Sequence, residues 1–260
     1  MMAGIKPPDV VDKHVRESSD LYKAAEANVF ADAQAAITAG ADVNTANLQG
    51  VTPLLLAVKN NNAQLVQLLL KAQADVNLVS ADSSPLHEAV RTRNAALLEV
   101  LLGAKGNVNL MSDGKSPLHV AIQENFGDVV DVLLRKGGDP KLKSAVGATS
   151  LHFAVIAGDR AMVEKFVTSS GSLNEQNKNG KTPLHIAAEK GNIDAIKVLL
   201  NAGANTNVKD TWGRLPSECG KITAFKMISE HKPGMKYEYV TADDEETDDK
   251  KKVDDKKKKK

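Results

Sequence analysis

Two kinds of short apolar segment alternate along the chain. Near residue 184, Leu184, Ala187 and Ala188 give a small-residue helical face, and Ile193, Ile196, Leu199 and Leu200 then recur at intervals of three and four. The polar stretch Lys190-Gly191-Asn192 separates the two, and Asn205 to Gly213 follows as a polar turn. The predicted unit is therefore helix, helix, turn. Thr182 stands where its hydroxyl can cap the first helix, and Pro183 follows at the position where a missing N–H is harmless. Gly203 stands where a left-handed residue ends the second helix.

The unit recurs. Pro53, Pro85, Pro117, Ser150, Pro183 and Pro216 are spaced by 32 or 33 residues, and one further step back reaches Asp20 in Ser19-Asp20-Leu21-Tyr22. That makes seven units with degenerate outer members. The repeated core is carried by Thr52-Pro53, by Ser84-Pro85 with His87, and by Ser116-Pro117 with His119. Thr149 with His152, and Thr182-Pro183 with His185, continue it. Alone, each unit is two helices too short to persist in water, with one apolar side bare, and stacking covers that side.

A period of 33 residues with a Thr-Pro-Leu-His core resembles the ankyrin-repeat family. The resemblance covers residues 19–232 and implies an all-α repeat solenoid, with stacked helix-turn-helix repeats and β-hairpin-like turns. Residues 1–18 read as an N-terminal leader and 233–260 as a charged, disordered tail. Terminal repeats face water on one side, so the aberrant ends read as caps. Tyr22 replaces the first histidine, while Leu215 and Glu218 replace the last capping residue and histidine. In the Gly203 column stand Gly40, Gln73, Lys105, Gly137 and Ser170. Gln73 and Lys105 are then expected to pay for a left-handed backbone.

Composition narrows the function. Aromatics make up only 3% of residues, so Ala, Leu and Val must fill thin layers. The formal net charge is +1, which drives the chain onto neither nucleic acid nor membrane. Cys219 is the single cysteine, excluding an intrachain disulfide. With no secretory signal and no apolar run long enough for a bilayer, the expected location is cytoplasm or nucleus.

No catalytic motif is present, and the expectation is a non-enzyme with no cofactor and no metal. The four motif histidines recur once per repeat, roughly 10 Å apart for packed helices, which is too far to share one ion. The resemblance implies that they hydrogen-bond within and between turns. Asp42, Asn44, Asp75, Asn77, Asn107, Asn109, Asn174, Asn205 and Asn207 repeat with the period and read as turn formers rather than calcium ligands.

The resemblance also implies a protein partner lying across the concave side, built from turn tips and first helices. In frame, that face carries Leu48, Val51, Lys59, Arg91, Lys115, Val146, Ile156, Lys178, Lys181, Lys190, Lys209, Trp212 and Arg214. Apolar residues among exposed positions suggest a contact stripe, with Trp212 either an anchor or a cap residue. The excess of cations suits a partner segment that is acidic or mixed acidic and apolar. The expected function is a non-catalytic adaptor or regulatory subunit, monomeric on its own. An assembly chaperone or inhibitor subunit is a narrower version. A nucleic-acid or acidic-polymer binder using the basic tips and lysine tail is the alternative, disfavoured by low net charge and few stacking aromatics. From Thr241 the tail carries eight acids and eight lysines in blocks. It reads as a solubilising segment, a lysine-rich address, or an acid block that folds back on the basic groove.

Overall fold

The computed structural model describes residues 8–80, 83–170 and 173–238, with side chains from Val15 onward except at Ser170. Its helices come in pairs: α1 (Pro8–Glu26) with α2 (Phe30–Thr38), α3 (Pro53–Lys59) with α4 (Ala63–Lys71), and α5 (Pro85–Arg91) with α6 (Ala95–Gly103). Then follow α7 (Pro117–Gln123) with α8 (Gly127–Arg135), α9 (Ser150–Ala157) with α10 (Arg160–Ser170), and α11 (Pro183–Lys190) with α12 (Ile193–Asn201). A 3-10 turn at Pro216–Cys219 and α13 (Ile222–Ser229) close the stack. The described residues contain no strand ladder, only an isolated bridge between Ser112 and Lys115 at one tip.

The first helices stack on one another in chain order, from α1 through α3, α5, α7, α9 and α11 to the 3-10 turn. Small residues permit this. Ala57, Ala89, Ala121, Ala154 and Ala187 form a fully buried column, and Leu54, Leu86, Leu118, Leu151 and Leu184 form another. An alanine at the crossing lets two helix axes approach closely, while the leucine fills the space beside it.

The second helices divide their burial by direction. Two positions after each helix start stand Leu65, Leu97, Val129, Met162 and Ala195, all buried. The next positions are Val66, Leu98, Val130, Val163 and Ile196, with no exposed surface at all. At the first repeat these columns read Asp32, exposed, and Ala33, buried. At the last they read Ala224, buried, and Phe225, 50% exposed. The first column thus faces the preceding repeat and the second faces the following one.

Three features depart from the expected frame. Helix α1 starts at Pro8 and runs without a break through the leader boundary at residue 18. At the other end, chain beyond residue 232 packs back on the last repeats. The Tyr237 N–H and carbonyl pair with the Asn201 side chain at 2.8 and 3.0 Å, and its hydroxyl donates to the Met227 carbonyl at 2.9 Å. The charged blocks of the tail lie outside the described residues. Ser170, expected in the left-handed column, instead ends α10.

Gln73 and Lys105 do adopt the left-handed backbone, at φ 68° and 66°, alongside Gly40, Gly137 and Gly203. Gln73→Gly and Lys105→Gly should each stabilise by up to about 1 kcal/mol, read as a higher urea midpoint. No gain in either would show that the strain is already offset by the chain that follows.

Candidate partner-binding face

The face is built by turn chemistry repeated along the tips. At five of the six described tips the opening residue folds its side chain over the turn, and at the Ser112 tip backbone bonds with Lys115 close it instead. Asn47 accepts from the N–H groups of Gln49 and Val51, Asn177 from Asn179 and Lys181, and Asp210 from Trp212 and Arg214. Ser80 and Ser144 accept from Ser83 and Ala148 in the same way. These bonds hold the middle residues of the tip outward. Ser80, Ser112 and Ala148 are buried and unavailable to a partner.

Below the tips runs a histidine ladder. The Nδ1 atoms of His119, His152 and His185 accept the N–H of Ser116, Thr149 and Thr182 at 3.1–3.2 Å. Nδ1 of His87 lies 2.7 Å from the Ser84 hydroxyl. Each Nε2 then donates across to the next repeat at 3.0–3.1 Å, to the tip carbonyls of Lys115, Lys181 and Arg214 and, from His119, to the carbonyl of Leu142 just before the tip. This pattern requires the neutral Nε2–H tautomer. Burial pushes the pKa of His87 and His119 down to about 4, and lowers His152 and His185 as well. Tyr22 fills the same role in the first repeat, accepting from the Asn47 side chain at 2.9 Å.

A second ladder is absent from the sequence reading. The Asn and Asp residues assigned to turns also reach the neighbouring repeat. Oδ1 of Asn44 accepts from the Asp75 N–H at 2.8 Å, Asn77 from Asn107 at 2.7 Å, Asn109 from Asp139 at 2.8 Å and Asn174 from Asn205 at 2.8 Å. With their oxygens so committed, these side chains are structural, as turn formers should be.

Of the thirteen expected contact residues, all lie on tips or near the far ends of first helices. Leu48 is fully exposed, Val146 and Trp212 about 60% exposed and Ile156 39%. Val51 is half-buried. The apolar set is not continuous, because Val146 and Trp212 share one tip position with Asn179 between them, whereas in the tip of Leu48 that position holds Gln49 and Leu48 stands one place earlier. The cations are also less available than their number suggests. Lys115 donates to Gln123 at 2.8 Å, Lys181 pairs with Glu189 at 2.7 Å and Arg91 with Glu88 at 2.9 Å. Arg214 grips Asp210 through two nitrogens at 2.8 and 3.0 Å. Lys59, Lys178, Lys190 and Lys209 are exposed and hold no ion pair among the described residues, and three of these four belong to the last repeats. Pairing across eight residues, tip to helix end, leaves no motif, so sequence spacing alone missed it.

Trp212 is the focus of this end. Its ring lies 5.0 Å from the Arg214 guanidinium and 5.5 Å from the Lys181 ammonium. It is held from below by cations rather than by the core, which settles its geometry as a projecting tip ring. Beneath it, His185, Asp210 and Cys219 bring potential ligand atoms within 4.8 Å of one another. They do not suit a metal. Both His185 nitrogens are engaged, and the Asp210 carboxylate is occupied by Arg214. Burial raises the pKa of Asp210, but hydrogen bonds from Arg214 and Trp212 outweigh it and hold the carboxyl below its usual range. Burial raises the Cys219 thiol, keeping it protonated.

A family model for ankyrin repeats in three copies matches residues 21–112, 79–144 and 118–210. Among solved structures, the human ASB11 ankyrin repeat domain superposes with a TM-score of 0.69 at 23% identity, covering 83% of this chain and 98% of that one. The ankyrin repeat domain of Bcl-3, a member of the IkappaB protein family, gives 0.71 at 22% identity, covering 81% and 97%. No curated protein sequence matches the chain significantly. At these identities the structural likeness carries the fold alone.

Proposed function

The chain belongs to the ankyrin-repeat family, and from that premise we propose that it is a non-catalytic adaptor or regulatory subunit that holds a protein partner across its tip face. The observation that carries this reading is Trp212, an exposed ring fixed between Lys181 and Arg214 and given no packing duty. Aromatic and arginine side chains in such a setting are the usual anchors of interfaces. The partner segment that fits is mixed acidic and apolar: an apolar side chain against the indole, and carboxylates toward Lys178, Lys190 and Lys209. The match of residues 21–210 to a family of interaction modules supports the absence of catalysis. The repeat number is also similar to that of gankyrin, which suggests a narrower role as assembly chaperone or inhibitor subunit. The Leu-x-Cys-x-Glu motif of that protein has no counterpart in this chain.

The test is capture of partners from extract with wild type beside a Trp212→Ala, Lys181→Glu double variant, followed by titration with the purified partner. The expected result is at least a roughly tenfold weaker complex with unchanged melting temperature. Equal binding by both proteins moves the site to the outer face or the tail.

A further inference from the structure

The two ends of the stack are unlike each other, and each fits the other. On the second helices, one column of residues faces the preceding repeat and the next column faces the following one. The N-terminal end obeys the rule for a cap: Asp32, exposed, stands in the column that elsewhere holds buried Leu65, Leu97, Val129, Met162 and Ala195. The C-terminal end does not. Phe225 stands 50% exposed in the column where Val66, Leu98, Val130, Val163 and Ile196 are wholly buried. Ile222 at the start of the same helix is 86% exposed. No further repeat covers this face among the described residues. A cap that keeps a large apolar side chain in its outward column, with a second one exposed at the start of the same helix, is a stacking surface without its neighbour.

We propose that this neighbour is a second copy of the chain, with the α13 face of one molecule docking head to tail on the α1–α2 face of the next. Three observations select this occupant. The α1–α2 face holds a groove of about 560 Å³ floored by Ala24, Ala27, Ala35, Ala36 and Ala39. Small residues there leave room for the larger knobs Ile222 and Phe225, as alanine columns do inside the stack. The charges are opposite as well. Asp20 and Asp32 line the groove with Lys23 between them, whereas Lys221 and Lys226 flank the knobs on α13, with Glu230 the only acid on that helix or its cap. Finally, the operation that places one repeat on the next brings these two faces together. The alternative, α13 against α13 of a second copy, sets Lys221 and Lys226 against themselves. Such a head-to-tail contact is open-ended, so it makes short rows of variable length rather than a closed dimer. Asp32 in a column otherwise apolar keeps each contact weak. The monomer expected from the sequence is then the state in dilute solution.

Sedimentation velocity on the full chain tests this. The weight-average mass of wild type should rise with concentration above the 27.7 kDa of one chain and past that of two. It should fall when salt is raised from about 0.05 M to about 0.5 M, as screening removes the charge match. Asp32→Lys and Phe225→Glu should each be monomeric alone. Their equimolar mixture should give a dimer and stop there, because one intact α13 face meets one intact α1–α2 face. If Phe225→Glu shifts the melting temperature, Lys221→Glu with Lys226→Glu replaces it. Wild type that stays monomeric up to about 1 mM, where only contacts weaker than roughly 4 kcal/mol escape detection, overturns the proposal. A dimer formed by Asp32→Lys alone overturns it too, in favour of α13 against α13.

Discussion

Acidification from pH 7 to pH 5 should cost the repeat stack several kcal/mol, well before its carboxylates begin to protonate. His87 and His119 have pKa values near 4 in the folded chain against an ordinary 6.5, because burial disfavours the charged ring. The unfolded chain therefore binds more protons than the folded one between these values, and stability falls as pH drops through that window. It is fully present above about pH 6.5 and fully lost below about pH 4. At pH 5 each of the two contributes a loss of about 2 kcal/mol. His152 and His185 are displaced in the same direction and add to it. The melting temperature should fall by on the order of 10 °C, since each kcal/mol shifts a domain of this size by a few degrees. Glu175, held low by its hydrogen bond to Lys143, acts in the same sense but at lower pH. So does Asp159, held low mainly by the Met162 N–H. Thermal unfolding followed by circular dichroism at half-unit steps separates the two windows. A flat profile between pH 7 and 5 would falsify the neutral ladder.

Gly180→Ala should destabilise by about 2–4 kcal/mol, combining left-handed strain with a clash that only backbone movement relieves. Gly180 has φ 69°, and a Cβ there would stand 2.6 Å from the Thr211 nitrogen and 3.0 Å from Asp210 backbone carbons. The tips meet at this point. The Thr211 N–H and hydroxyl both donate to the Asn179 carbonyl, at 3.1 and 3.0 Å. Forcing the tips apart breaks these bonds and displaces Trp212, the next residue along. Gly213→Ala is the control. Gly213 has φ 77° but nothing within 4 Å of its Cβ, so only the strain of about 1 kcal/mol applies. Urea unfolding of both variants distinguishes contact from conformation. Equal losses would mean that the tip-to-tip approach is soft.

How much of this was readable follows from what a repeat writes into its sequence. Thr182, Pro183 and His185 were legible because capping acts within a few residues, and the same spacing returns several times. The fold follows from that period and is shown by the match over residues 21–210. Contacts between repeats were less legible. The Asn44 to Asp75 bond joins residues 31 apart that each look like ordinary turn formers. The pairing of Lys181 with Glu189 depends on two side chains turning toward each other, which spacing does not encode. Hence the face read as more basic than its geometry allows. A column of left-handed residues at the ends of first helices was also missed. Asn61, Arg93 and Asn125 occupy it beside Gly158 and Gly191, and residue type alone does not mark Arg93. The last repeat loses register because α13 begins six residues after Pro216, whereas α12 begins ten after Pro183.

Three large apolar residues exposed on well-separated tips make the face a ruler. With repeats spaced roughly 10 Å apart, Leu48 and Val146 stand about 30 Å apart, and Trp212 is about 20 Å further on. An extended peptide advances ~3.3 Å per residue, so touching all three marks takes a segment of about 15 residues. A shorter ligand must choose one end. At the far end it would meet the indole and three lysines, and at the near end Leu48 with Lys59 alone. Length, as much as charge, then decides which ligands the whole face can grade.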